Sequence, residues 1–108
     1  MSSLNEYAEL IWKITDEKGF HSIGRSQVED IALMHAELSE AVEEIRADNI
    51  PHYTLNGKPE GVAVELIDCI IRILDSLRQH YSELDIDEIM NEKIEYNAGR
   101  PILHGKQL

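Results

Sequence analysis

The chain of 108 residues carries 21 Asp and Glu against 10 Lys and Arg, a formal charge of -11, with 43% hydrophobic residues. That length suits one domain with one core, and the composition is too apolar for a disordered chain. So acidic a surface repels phosphodiester backbones, which argues against DNA or RNA as a polymeric partner; a single nucleotide stays compatible, because a bound divalent cation reverses the local sign.

The opening Met1-Ser-Ser-Leu-Asn-Glu lacks a basic region followed by an apolar one, so no signal peptide is expected. The first predicted helix covers residues 3–18, with Leu4, Tyr7, Ala8, Ile11 and Ile14 at three-four spacing and Gly19 as its C-cap. The second begins at Ser26, an N-cap with Glu29 three residues on, and runs to Ala47. Its apolar stripe is Ile31, Met34, Leu38, Ala41, Val42 and Ile45. Residues 48–60 hold Pro51, Pro59 and an Asn56-Gly57 pair, and they predict a loop. The third helix is expected over residues 61–80. The fourth runs from the N-cap Asp85 to Ala98, stopping at Gly99 with Pro101 beyond, and residues 99–108 read as a flexible basic tail. No segment alternates with period two, so no strand is expected. The reading is a single all-α domain over residues 1–108, a four-helix bundle.

The third helix is the informative one. Glu65, Asp68, Arg72 and Asp75 fall within an arc of roughly 80° at the helical pitch. Almost everything else from Val62 to Leu77 is apolar, so this helix belongs in the middle of a bundle or in a subunit interface, its charged stripe walled in. The same charges make the segment unfit to span a bilayer, and no membrane association is expected. The lone Cys69 can form neither an internal disulfide nor a cysteine-rich zinc site, and it reads as core filler in a reduced cytoplasm.

Buried carboxylates cost several kcal/mol unless something compensates, on the order of the penalties for isolated charges. Arg72 can pair with one. The second helix supplies a matching stripe of Glu37, Glu40 and Glu44 within roughly 60°. Glu-x-x-Glu facing Glu-x-x-Asp can set four carboxylates around a point, and an all-oxygen site suits Mg²⁺ or Mn²⁺. The plain alternative is a solvated acidic surface.

The segments Glu37-Leu-Ser-Glu40-Ala-Val-Glu-Glu44-Ile-Arg and Glu65-Leu-Ile-Asp68-Cys-Ile-Ile-Arg-Ile-Leu-Asp75, with Ala41 to Val64 between their acidic pairs, resemble the MazG-like all-α NTP pyrophosphohydrolases. So do the approach Gly57-Lys-Pro-Glu-Gly61 and the ending Lys93-Ile-Glu-Tyr96-Asn97-Ala-Gly-Arg100-Pro101-Ile-Leu-His104-Gly105-Lys106. The resemblance spans residues 30–106. It implies that Glu37, Glu40, Glu65 and Asp68 hold Mg²⁺ against a triphosphate, and that water attacks the α-phosphorus to release pyrophosphate. Glu40 or Glu37 would take the water's proton. It implies a nucleotide-pool house-cleaning role, and dimers, sometimes paired into tetramers.

Lys93, Asn97 and Arg100 share one side of the last helix and its exit, and they are expected to hold the outer phosphates; their plain role would be to complement the helix C-terminal dipole. His104 and Lys106 are expected to close over the substrate or to lie in a disordered tail. Trp12 leads the base-stacking candidates ahead of Phe20, Tyr7 and Tyr53, with core packing as the competing role. The five histidines show no metal-ligand spacing and read as structural or surface residues. So apolar a third helix predicts a homo-oligomer. Val64, Ile67, Ile71 and Leu74 are expected at a two-fold interface, with Leu66, Ile70 and Ile73 packing inside the subunit. The competing class is a non-catalytic acidic helical module that dimerises and binds a basic protein.

Overall fold

Ser3 and Ser26 open the first two helices in the same way. Each hydroxyl accepts the backbone N–H of the glutamate three residues on, and each glutamate carboxylate accepts the serine's own N–H. These capping boxes satisfy helix-terminal donors that would otherwise be orphaned. In the computed structural model, which describes residues 3–101, they start α1 (Leu4–Glu17) and α2 (Gln27–Arg46). The chain then forms α3 (Val62–His80) and α4 (Ile86–Ala98), the latter behind an Asp85 side chain that accepts the N–H of Glu88. The fold is mostly helical, as expected. No helix among the described residues is long and apolar enough to cross a membrane.

The expectation of no strands is corrected by a small hairpin. Tyr53–Leu55 (β1) pairs antiparallel with Lys58–Glu60 (β2), Tyr53 opposite Glu60 and Leu55 opposite Lys58. Asn56 and Gly57 both adopt positive φ, 52° and 79°, the two-residue turn whose twist suits antiparallel strands. Strands of three residues are too short to show alternation. Pro59 is tolerated because both strands of a two-stranded ribbon are edges. Gly61, at φ 115°, carries the chain from the hairpin into α3; a Cβ there would lie 2.3 Å from the Pro51 carbonyl oxygen.

Helix α3 lies between α1 and α2. On the α1 side Ala8, Leu74 and Ile86 form a buried cluster, with Leu4, Ile11 and Leu77 packed against it. Cys69 is buried, as expected of a core residue. Helix α4 packs against α1 and is fastened by its first turn. Asp87 accepts the backbone N–H groups of Leu4 and Asn5, while Asn5 bonds Asp85 and the N–H of Ile86. Further along α4, Ile89, Met90, Ile94 and Tyr96 are exposed.

The expected division of α3 into inner and outer faces is corrected in part: Ile67 and Ile71, expected on the outer face, are exposed. Leu74, expected between subunits, is 6% exposed, whereas Leu66, Ile70 and Ile73, expected inside the subunit, are 45%, 45% and 39% exposed. The cause is the order of packing. Helix α1 takes the Leu74 side of α3, and no described element covers the side carrying Leu66, Ile70 and Ile73.

Candidate metal centre and the adjoining cavity

Asp30 meets His80, and Glu37 meets Arg72, so numbering rises along α2 as it falls along α3. The two helices are antiparallel, and the acidic stripe of one is laid against that of the other. Carboxylate oxygens of Glu37, Glu65 and Asp68 lie within 4.8 Å of one another. Glu40, one turn beyond Glu37, is exposed, and its carboxyl contacts that of Glu65. Three of the four expected acids thus lie within reach of one ion, and Glu40 is outside that group.

The cluster is electrostatically unsatisfied. Glu65 is pushed up to about 7 from its ordinary 4.5, first by burial, then by its contact with Glu40, then by the charges of Glu40, Asp68 and Glu37. Asp68 is raised too, again first by burial and then by Glu37 and Glu40; Arg72 and Lys58 only partly offset this. Oε2 of Glu65 is buried without a hydrogen-bond partner among the described residues. An orphaned buried carboxylate oxygen is rare and unfavourable, and a cation would satisfy it. Three converging carboxylates with such an orphan can bind a metal ion, and their oxygen-only donors fit a hard divalent one. Arg72 donates Nε–H to Oε1 of Glu37 at 2.7 Å, fixing that side chain. Lys58 is close enough to act on Asp68 because the hairpin returns the chain toward α3; the Asn56-Gly57 pair was the signal for it.

A cavity of about 350 Å³ opens beside the cluster, lined by Thr15, Phe20, Arg25, Glu37, Asp68, Ile71, Arg72 and Asp75. Its far walls are held by two networks. Asp75 accepts from Thr15 Oγ1 at 2.7 Å and lies 3.1 Å from His21 Nε2, whose ring stacks on Trp12 at 5.0 Å between centroids. Asp30 accepts from Arg25 Nε at 3.0 Å and Ser76 Oγ at 3.2 Å, with His80 Nε2 at 2.8 Å. Burial alone would raise Asp30, but the bonds from His80, Arg25 and Ser76 outweigh it and hold the carboxyl below its ordinary value. His21 and His80 are thus each bonded to a carboxylate of these networks.

The other expected substrate contacts fall elsewhere in the chain. Lys93, Asn97 and Arg100 lie at the far end of α4, and none lines this cavity. The Lys93 ammonium and the Arg100 guanidinium sit 5.0 Å and 5.6 Å from the centroid of Tyr96. Trp12 donates Nε1–H to Gln79 at 2.6 Å, stacks on His21 and lies under Arg78, so its surfaces are engaged in packing. Phe20 is the aromatic ring that lines the cavity. His104 and Lys106 lie outside the described residues. Thr15 and Arg25 carry no signal in the sequence, whereas Asp75 was visible on the charged stripe of α3 without an evident role.

Comparison with known proteins finds no matching family model, no matching curated protein and no matching solved structure. What bears on function is the site itself.

Proposed function

We propose that the chain is a Mg²⁺-dependent nucleotide pyrophosphohydrolase that converts a (d)NTP to the (d)NMP and pyrophosphate and serves nucleotide-pool house-cleaning. The observation that carries this reading is the unsatisfied carboxylate cluster, with the orphaned oxygen of Glu65, opening onto a cavity of small-ligand size. The likeness of Glu37, Glu40, Glu65 and Asp68 to the acidic pairs of MazG-like enzymes supports it.

Glu37, Glu65 and Asp68 would hold the ion, Mg²⁺ first and Mn²⁺ as its near substitute. When bound, the divalent ion neutralises triphosphate charge and acidifies water. Glu40 lies outside the converging trio yet touches Glu65, which suits it to accept the proton of the attacking water. Arg72, anchored to Glu37, turns a fixed positive charge toward the phosphates. Water adds at the α-phosphorus, the bond to the bridging oxygen breaks, and pyrophosphate departs.

The reading includes a homodimer or homotetramer. The exposed Leu66, Ile70 and Ile73 stripe and the exposed apolar residues of α4 both lack cover among the described residues. Lys93, Asn97 and Arg100 do not line the cavity of their own chain, and in this reading a second copy brings them to the phosphates. That exposed surface also favours a second reading, a non-catalytic helical interaction module. Glu65 argues against it, since a pure interface gains nothing from a buried unpaired carboxylate.

The test is pyrophosphate release from a panel of NTPs and dNTPs with and without Mg²⁺, with chromatography of the stopped reaction. Monophosphate plus pyrophosphate is the expected pair. Diphosphate plus orthophosphate, or no turnover of any nucleotide, would sink the proposal.

A further inference from the structure

The cavity runs away from the metal centre along one face of α3. Asp68, Arg72 and Asp75 all line it, and Asp68 to Asp75 is two helical turns, about 10 Å along the axis. A ligand held by its phosphates at Asp68 would extend its opposite end toward Asp75. That end is a built surface. The Asp75 side chain is 20% exposed and is fixed by Thr15 and by His21, itself 11% exposed and braced on Trp12. Phe20 stands on the same cavity, half exposed, and Ile71 lines it from α3. An accessible ring and an aliphatic wall suit a flat base, since base–aromatic stacking tolerates any base. The wall does not choose among bases. Asp75 can.

We infer that Asp75 selects the nucleobase, accepting bases that present an exocyclic amino group and rejecting those that present a carbonyl oxygen at the same position. This rests on the nucleotide reading above. An ionised carboxylate only accepts hydrogen bonds, through about four lone-pair sites. Thr15 Oγ1 takes one acceptor site on Oδ1, and His21 Nε2 lies 3.1 Å from both oxygens. What remains on this cavity-lining carboxylate is acceptor capacity. The 4-amino group of cytosine or the 6-amino group of adenine can donate to it. The 4-oxo group of uracil or the 6-oxo group of hypoxanthine would set oxygen against carboxylate with no proton between, leaving a partly buried acceptor unpaired. A site built to pair a polar group discriminates strongly against the analogue that lacks it.

Two substrate pairs isolate this edge: CTP with UTP, and ATP with ITP. For each pair kcat/KM is measured by pyrophosphate release, and Mg²⁺-dependent binding of the corresponding monophosphates by quenching of the single tryptophan. The wild type is expected to favour the amino member of both pairs by at least about tenfold in kcat/KM and in binding. Asp75→Asn, which offers a donor as well as an acceptor, is expected to bring both ratios toward one. Equal use of both members of each pair by the wild type would overturn base selection while leaving the hydrolysis standing, and needs no variant. Absent hydrolysis with selective binding would sustain the base site and end the pyrophosphohydrolase reading. Ratios unchanged in a folded Asp75→Asn protein would remove Asp75 from the role.

Discussion

Arg72 on α3 donates Nε–H to Glu37 on α2 at 2.7 Å, and both side chains line the cavity beside the carboxylate cluster. Glu37 is 11% exposed, so Arg72 is the counter-charge that lets this carboxylate be buried next to Glu65 and Asp68. Arg72→Ala is expected to lower stability by about 1–3 kcal/mol, the cost of stranding a buried charged acceptor. It should also lower pyrophosphate release by at least about tenfold, since one fixed charge near a transferring phosphate carries that much. Arg72→Lys should recover part of the stability and less of the rate, because an ammonium cannot reproduce the planar fork. Urea denaturation beside kinetics separates the two effects. An Arg72→Ala protein of unchanged stability would mean that the pair contributes nothing.

Glu65 makes the carboxylate cluster sensitive to pH. Its folded carboxyl titrates near 7, above the ordinary 4.5, so the folded chain holds a proton that the unfolded chain releases. Stability from this group is therefore full below about 4.5 and is lost as pH rises through about 7. Asp68, raised for like reasons, adds in the same sense, with Glu37 and Glu40 opposing ionisation and Arg72 and Lys58 favouring it. Mg²⁺ competes with that proton, so it should raise the Tm more at pH 8 than at pH 5.5. Glu65→Gln is expected to raise the metal-free Tm at pH 8, to abolish most of the Mg²⁺ increment, and to remove most activity. An undiminished Mg²⁺ increment in the variant would place the metal elsewhere.

Asp30 gives the opposite sign. Its carboxyl is held below the ordinary value by His80, Arg25 and Ser76, which outweigh the effect of burial. Its stabilisation is present above the ordinary 3.8 and is lost as pH falls through the lower folded value. Asp30→Asn is expected to cost about 2 kcal/mol at neutral pH and to flatten the acid limb of the stability profile. The Mg²⁺ response should survive, because Asp30 does not line the cavity. An acid limb identical to wild type would assign acid unfolding to other carboxylates.

Gly61 joins the hairpin to the metal centre. At φ 115°, with a Cβ position 2.3 Å from the Pro51 carbonyl oxygen, it leaves no room for any other residue. Gly61→Ala is expected to cost at least about 2 kcal/mol through backbone strain. Glu65 lies one turn later, its N–H bonded to the Gly61 carbonyl, so the Mg²⁺ increment in Tm should shrink as well. A variant as stable as wild type would show that the hairpin can shift freely.

Assembly is tested by complementation. Light scattering at micromolar concentration should give at least two chains. If α4 of one copy serves the metal centre of another, Asp68→Asn and Arg100→Ala proteins, each weakly active alone, should regain activity when subunits exchange. One site of the mixed dimer then holds both intact parts. Mass at two chains without complementation would keep the dimer and return Arg100 to its contact with Tyr96.

The amino-acid order determined the four α-helices, because capping boxes, N-caps and apolar periodicity are local, but it gave no sign of the short 3-10 turn over Phe20–Ile23. Ser26 with Glu29, and Asp85 before Ile86, act as their spacing predicts. The four acids were legible for the same reason: positions three apart on a helix share a face whatever the helix packs against. The hairpin was half visible, its Asn56-Gly57 turn plain and its strands too short to show a period. Tertiary structure alone decided which apolar face of α3 is covered, because periodicity names the faces but not the neighbour that takes each one. It also decided that Thr15, Phe20 and Arg25, from α1 and the segment after it, converge on Asp75 and Arg72. Such convergence depends on how helices distant in the chain cross, and no local rule of spacing encodes that.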